Sequence, residues 1–265
     1  MSAAQLRRSL LDLRWTVLWY SAGVAAYGMI IAAFWPAMQK NAEIFQQYIK
    51  QFPEAFTKAF GIEEMMSFAG FLGGEMLNFM WPLVISIFLV MTASAAVAGE
   101  IDRGTVELWL SAPVARWRLL AAKSLALFAG IVVIVAATVA SIALAALLAG
   151  ETLSAAGLAW CGAALLSFSV AVAGYGLLLS SMVSSRGLAA GLAAAVTLVS
   201  YLAGVVSALS ADVEWLKYVA ITSAFHPQQA LLDRAAPGEI ALLVGIGVAS
   251  TLAALIAFER RDASP

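Results

Sequence analysis

Residues 124–148 read SLALFAGIVVIVAATVASIALAALL, 25 consecutive positions without an Asp, Glu, Lys or Arg. An α-helix rising 1.5 Å per residue needs about 20 apolar residues to cross a hydrocarbon core of roughly 30 Å. This stretch is long enough to cross a bilayer and too apolar to cover a soluble surface. Five further runs of the same kind lie around it, at 15–34, 77–98, 158–179, 187–209 and 240–258, and these too lack Asp, Glu, Lys and Arg. The whole chain of 265 residues agrees, with 63% hydrophobic and 12% charged residues, where a soluble domain has about a quarter charged. The predicted fold is all-α: one polytopic transmembrane domain, 1–265, with six transmembrane helices.

Several function classes drop out on chemistry. Spans free of carboxylates argue against a proton relay or an ion path, which leave ionisable groups inside the membrane. A single cysteine, Cys161, and a single histidine, His226, exclude a disulfide framework and a His/Cys metal cluster. Cys161 is expected to pack within its span and His226, beside Pro227, to serve as a turn residue. No catalytic residue is assigned. A net charge of −1 argues against nucleic acid as a partner.

Six spans put both termini on one side, and the basic residues say which. Arg7, Arg8, Arg14, Arg103, Arg116, Arg118, Lys123, Arg186, Arg260 and Arg261 fall together, ten of the fifteen; Lys40, Lys50, Lys58, Lys217 and Arg234 are spread on the other side among ten acidic residues. Both termini are therefore predicted to be cytoplasmic. The 20-residue apolar core of the first span exceeds the roughly 7 to 15 residues of a signal-peptide core, so it is expected to stay as an anchor. Before it, Leu6, Leu10 and Leu13 recur at helical spacing beside Arg7, Arg8 and Arg14, predicting an interfacial helix over 1–14 that also serves as a basic topology signal. The first outer connection carries Ile44, Tyr48, Phe52, Phe56 and Phe60 four residues apart, interrupted by Pro53; this predicts two short helices or one kinked helix at the outer interface.

The most charged connection runs over 99–123 as GEIDRGTVELWLSAPVARWRLLAAK. Gly104 can end the helix leaving the second span, and 105–111 can form a short helix with Val106, Trp109 and Leu110 on one face. Pro113 has no amide hydrogen and keeps Ala112 out of the helical region, so that helix stops before another begins near Val114. The expected product is a short surface helix between two hinges. A topology signal alone accounts for the arginines but not for Gly104, Trp109 and Pro113 at these positions.

Glu100, Gly104, Thr105, Val106, Glu107, Leu110, Ser111, Pro113, Val114 and Arg116 fit the pattern E-x-x-x-G-T-[LV]-E-x-x-L-S-x-P-V-x-R, which resembles the coupling-helix segment of type-2 ABC exporter permeases. The six-span plan, the long first outer loop and the ending Phe258-Glu259-Arg260-Arg261-Asp262 are similar to that family as well. Ser223-Ala224-Phe225-His226-Pro227 departs from it, since the family often has Pro after Ser. The resemblance implies a permease in a prokaryotic plasma membrane whose segment 99–116 docks on a separate ATP-binding subunit, present in two copies. On this reading Glu100, Gly104, Thr105, Glu107, Trp109, Leu110, Pro113 and Arg116 form the partner-binding element. The chain has no G-x-x-x-x-G-K-[ST], so ATP and Mg²⁺ are expected on the partner and no cofactor on this chain.

Gly187, Gly191 and Ala195, with Ala194 and Gly204, give the fifth span the small-xxx-small spacing that lets helix backbones approach. That stripe serves packing within one subunit or between two; the resemblance implies a homodimer seam of first and fifth spans. Met80, Trp81 and Tyr201, with Met76 and Met91, are adaptable surfaces that suit a hydrophobic or amphipathic cargo as well as membrane lipid. A structural or assembly subunit remains as a second reading. An intramembrane enzyme is a poorer one, because the spans supply no carboxylate pair, Ser/His pair or metal cluster.

Overall fold

A computed structural model describes residues 3–52, 56–57, 62–104 and 115–261. Six of its helices are long and apolar enough to span a membrane, and no strand occurs among the described residues. The six helices are Ala3–Ala33, Phe68–Ala96, Arg116–Ala149, Ala155–Met182, Arg186–Leu209 and Pro237–Arg260, and they contain the predicted spans nearly residue for residue. Most run beyond the predicted limits, since a helix does not stop where the hydrocarbon does.

At the N-terminus the predicted surface helix is not a separate element. Ala3–Ala33 is one helix of 31 residues, because no Gly or Pro occurs before Gly23 to interrupt it. It packs along the third span, where Val17 fills the space beside Gly130, and farther along its length Gly28 lies against Met76 and Ser141. Past Phe34 the chain breaks at Pro36 into short helices Trp35–Lys40 and Ala42–Ile49. Trp35 is buried and donates through Nε1 to Glu151 Oε1 at 2.8 Å, tying the end of the first span to the end of the third. Ile44 and Phe45 are exposed and Phe52 stacks on Phe56 at 5.4 Å, while Pro53 and Phe60 lie outside the described residues.

The second span begins at Phe68 instead of Leu77, and its helix changes pitch on the way. Gly73–Met80 is π-helical, with the Trp81 N–H reaching back to the Met76 carbonyl. Pro82 follows directly; lacking an amide hydrogen and colliding with a carbonyl four residues back, it is accommodated by the wider turn before it.

The fourth span is the centre of the bundle. In its most apolar window 67% is buried, against 11% in the fifth and 17% in the sixth. It crosses the sixth at Gly174 and Gly247, where a Cβ on either residue would collide with the backbone of the facing helix. Beside this crossing, Trp81, Phe168 and Phe225 form an aromatic cluster with ring centroids 4.5 to 6.4 Å apart, and Trp81 Nε1 donates to Thr138 Oγ1 at 3.1 Å.

Between the fifth and sixth spans the chain turns through Ala211–Tyr218, Ile221–Ala224 and a short helix Pro227–Leu231. Gln228 carries this segment into the bundle: it is 2% exposed, donates to the Gly70 carbonyl at 2.9 Å and accepts from Asn78 Nδ2 at 2.6 Å. Gly73 leaves the space it occupies. Arg234 and Gln229 both hold Glu64, at 2.6 and 3.1 Å, closing the same end of the molecule.

Candidate functional site

The predicted coupling residues Thr105, Glu107, Trp109, Leu110 and Pro113 lie outside the described residues. What the structure describes is how the chain is held on either side of them. On the leading side the second span breaks at Val97, whose φ of −121° and ψ of −62° leave the helix. Ser180 Oγ of the fourth span accepts the freed Val97 and Ala98 N–H groups at 3.2 and 3.0 Å and donates to the Ser94 carbonyl at 3.0 Å. A buried amide without a partner would cost about 1 to 3 kcal/mol, so one hydroxyl makes this break stable. The short helix Ala98–Asp102 follows and ends at Gly104, whose φ of +70° lies in the left-handed region that suits glycine.

Gly104 ends the helix that leaves the second span, as expected of a helix breaker, and Glu100 lies in its first turn. Its carboxylate accepts from Lys123 Nζ at 2.8 Å and from Arg103 Nη2 at 3.2 Å, while Lys123 also donates to the Ala96 carbonyl at 3.1 Å. The helix leaving the second span is thereby tied to the third, about two turns from its start. The network borders a cleft of about 470 Å³ that Arg8 and Asp12 of the first helix help to line.

On the trailing side Arg116 opens the third span, and it reaches the end of the sixth. Its Nη1 donates to the Arg261 carbonyl, and Glu259 Oε2 accepts the Trp117 N–H at 2.9 Å, a capping bond for the first turn supplied by another helix. Arg261 in turn donates through Nη1 to the Ser181 and Val183 carbonyls, both at 3.0 Å, and through Nη2 to Ser184 Oγ at 2.6 Å. The orphan carbonyls that end the fourth span are met by a cation, as the helix dipole favours. Three helix ends are therefore clamped together beside residue 115. The clamp is signalled in the sequence by a glutamate and two arginines directly after the last apolar residue of the sixth span, Phe258.

Loss of this clamp has a readout that needs no activity. Arg261→Ala removes three donated bonds of the charge-assisted kind, worth about 1.5 to 3 kcal/mol apiece when buried and less at this half-exposed site. The six spans should still insert, while a spin label at Ala115 should become markedly more mobile than in the parent. Unchanged label mobility would contradict the clamp.

The predicted seam residues share one outward face. Gly187, Gly191 and Ala195 are exposed, and a Cβ on Gly191 would meet nothing within 4 Å. Gly204, read from sequence as part of the same stripe, serves inside the chain: its missing Cβ makes room for Thr222 Oγ1, which donates to the Ser200 carbonyl at 2.9 Å. The backbone crossing of two spans at Gly174 and Gly247 carries no mark in the sequence.

The three residues suggested for a cargo path are not brought together. Trp81 is 1% exposed and belongs to the core, and Met80 is half-buried. Tyr201 lines a cleft of about 820 Å³ between the second and fifth spans, with Glu75, Asn78, Phe79, Lys217 and His226 among its other walls. There Lys217 donates to Glu214 at 2.5 Å; this bond holds the Glu214 carboxyl below its ordinary range and raises the Lys217 ammonium.

Residues 18–263 match the family described as ABC-2 family transporter protein. The chain belongs to the ABC-2 transporter family. No curated protein matches it. As an ABC-2 family permease it is a membrane protein, a transport subunit of a family that normally works with an ATP-binding subunit. That membership spans all six helices of the bundle and both anchored sides of segment 105–114.

Proposed function

We propose that this chain is the membrane permease of an ATP-driven exporter in a prokaryotic plasma membrane, with both termini in the cytoplasm. Its cargo is a hydrophobic or amphipathic compound, such as a drug, an antibiotic or a lipid-like molecule. Two copies pair along their first and fifth spans, and each presents segment 99–116 to one of two copies of a separate subunit that binds ATP and Mg²⁺. The observation that carries this reading is the fixing of both sides of that segment. Ser180 and Lys123 hold the chain before it, and Glu259 and Arg261 hold the helix after it. A push on a segment held this way reaches the second, third, fourth and sixth spans together.

The test is co-purification of the tagged chain from its native membrane in mild detergent, followed by ATPase measurement of what comes with it in reconstituted vesicles. A P-loop subunit recovered at a one-to-one ratio, with its ATPase responding to the membrane chain, is the expected result. A chain that purifies alone, and does not alter the ATPase of a P-loop subunit encoded beside it, would turn the assignment toward a structural subunit.

The seam has its own test. Gly191→Leu inserts four side-chain carbons where two backbones are to meet and should lower dimer yield several-fold, because overpacking a close contact costs about 1 to 3 kcal/mol. Leu252→Ala, at an exposed position on the sixth span, should leave the yield unchanged. Cross-linking of single-cysteine variants along the fifth span reports the contact, and an undiminished dimer in Gly191→Leu without cross-links would exclude the seam.

A further inference from the structure

The cleft between the second and fifth spans holds a carboxylate that no described residue neutralises. Glu75 is the one Asp, Glu, Lys or Arg in the helix Phe68–Ala96. It is exposed to the cleft and makes no ion pair or hydrogen bond among the described residues. The other charged groups of the cleft are spoken for. Lys217 is paired with Glu214 at 2.5 Å, and His226 faces Glu239 at 3.6 Å. With histidine neutral, the described charged residues that line the cleft sum to one negative charge, that of Glu75.

Its surroundings are greasy and aromatic, with Phe79 from the same helix, Tyr201 and Val205 from the fifth span, and Phe225 from the turn between spans. An ionisable group at the margin of an apolar span marks a functional site by default, and aromatic faces attract cations while offering flat apolar contact. A volume of about 820 Å³ falls within the roughly 300 to 1,000 Å³ of pockets for drug-sized ligands. We propose that this cleft binds amphipathic cations, with Glu75 meeting the positive charge and Phe79, Tyr201 and Val205 the apolar body. This rests on the exporter reading and narrows its cargo to molecules with an apolar body and one positive charge.

Tetraphenylphosphonium and tetraphenylborate are matched in shape and opposite in charge, which makes them suitable probes. Their binding to the full chain in lipid nanodiscs is measured by equilibrium dialysis, with empty nanodiscs subtracted. The parent should hold the cation in preference to the anion. Glu75→Gln should weaken cation binding by about fivefold, the loss of one ion-pairing partner at an exposed position, and Glu75→Asp should recover part of it. The double variant Glu214→Gln with Lys217→Gln, which removes the paired charges and leaves the cleft's net charge as it was, should change it less. Equal affinity of the parent for both ions would overturn the proposal even if Glu75→Gln failed to fold, as would a Glu75→Gln change within twofold. Neither readout needs an ATPase. A refuted cation site with an intact P-loop complex removes only the cargo class, whereas a cation site in a chain that recruits no ATPase removes the exporter.

Discussion

Gly247→Val should deprive the protein of a stable fold. A Cβ at this position runs into the Val170 carbonyl group and lies 2.6 Å from Val170 Cγ1. The reciprocal contact at Gly174 is no roomier, with the Gly247 Cα at 2.8 Å. The obstructing atoms are backbone on both sides, so rotamer changes cannot relieve the clash and the fourth and sixth helices must part. Overpacking costs about 1 to 3 kcal/mol where side chains can adjust, and a backbone collision at the centre of the bundle belongs at the top of that range or above. Against a total of about 5 to 15 kcal/mol for a typical domain, the expected outcome is a several-fold drop in monodisperse yield and a clear fall in thermal midpoint in detergent. Gly245→Val is the control, two residues away with nothing within 4 Å of its Cβ. Equal behaviour of the two variants would mean that the helices do not cross there.

Truncating Trp109 and Leu110 together to alanine should release the ATP-binding subunit. Each side chain is offered as an anchor for an apolar cleft on the partner, and removing such an anchor costs about 2 kcal/mol or more, roughly 30-fold in affinity. The double variant should therefore lose the partner on purification and lose stimulated ATPase activity in vesicles at matched expression. Lys58→Ala, assigned to the opposite side of the membrane, should do neither. Arg116 differs from the anchors in that its guanidinium is engaged with the Arg261 carbonyl, so Arg116→Ala should affect coupling through the clamp while partner retention stays near the parent. If the double variant keeps both partner and stimulation, the coupling role of the segment fails.

The spans were legible because a long charge-free run such as 124–148 has one physical solution, and the six helices contain those runs. Their ends were less so. The start of the second span falls in a stretch with Gly70, Gly73 and Gly74, where Gln228 packs on Gly73 and donates to the Gly70 carbonyl from far along the chain. The N-terminal helix was read as two elements because composition changes at Trp15, although backbone hydrogen bonding runs on without interruption. Gly104 is legible as the end of a helix because glycine is a helix breaker, whereas Glu100 enters only through the resemblance, and its bond to Lys123 carries no mark in the sequence. Ser180 was invisible: a serine in an apolar helix carries no mark of the two amides it serves on another helix. Trp81 misled for the same reason, since an aromatic near the end of a span looks alike whether it faces cargo, lipid or the core.

The break at Val97 divides the second span into two arms of unequal length. Ser180 sits at the junction, carried by the most buried helix of the bundle. The short arm is the five residues Ala98–Asp102, about 7 Å long, and the long arm reaches back to Phe68, roughly 40 Å away at 1.5 Å per residue. A tilt of about 5° moves the tip of the short arm by well under 1 Å and the far end of the long arm by roughly 3 to 4 Å. Were the two arms to tilt as one rigid piece about that junction, a sub-ångström shift beside Glu100 would be multiplied about sixfold at the far rim.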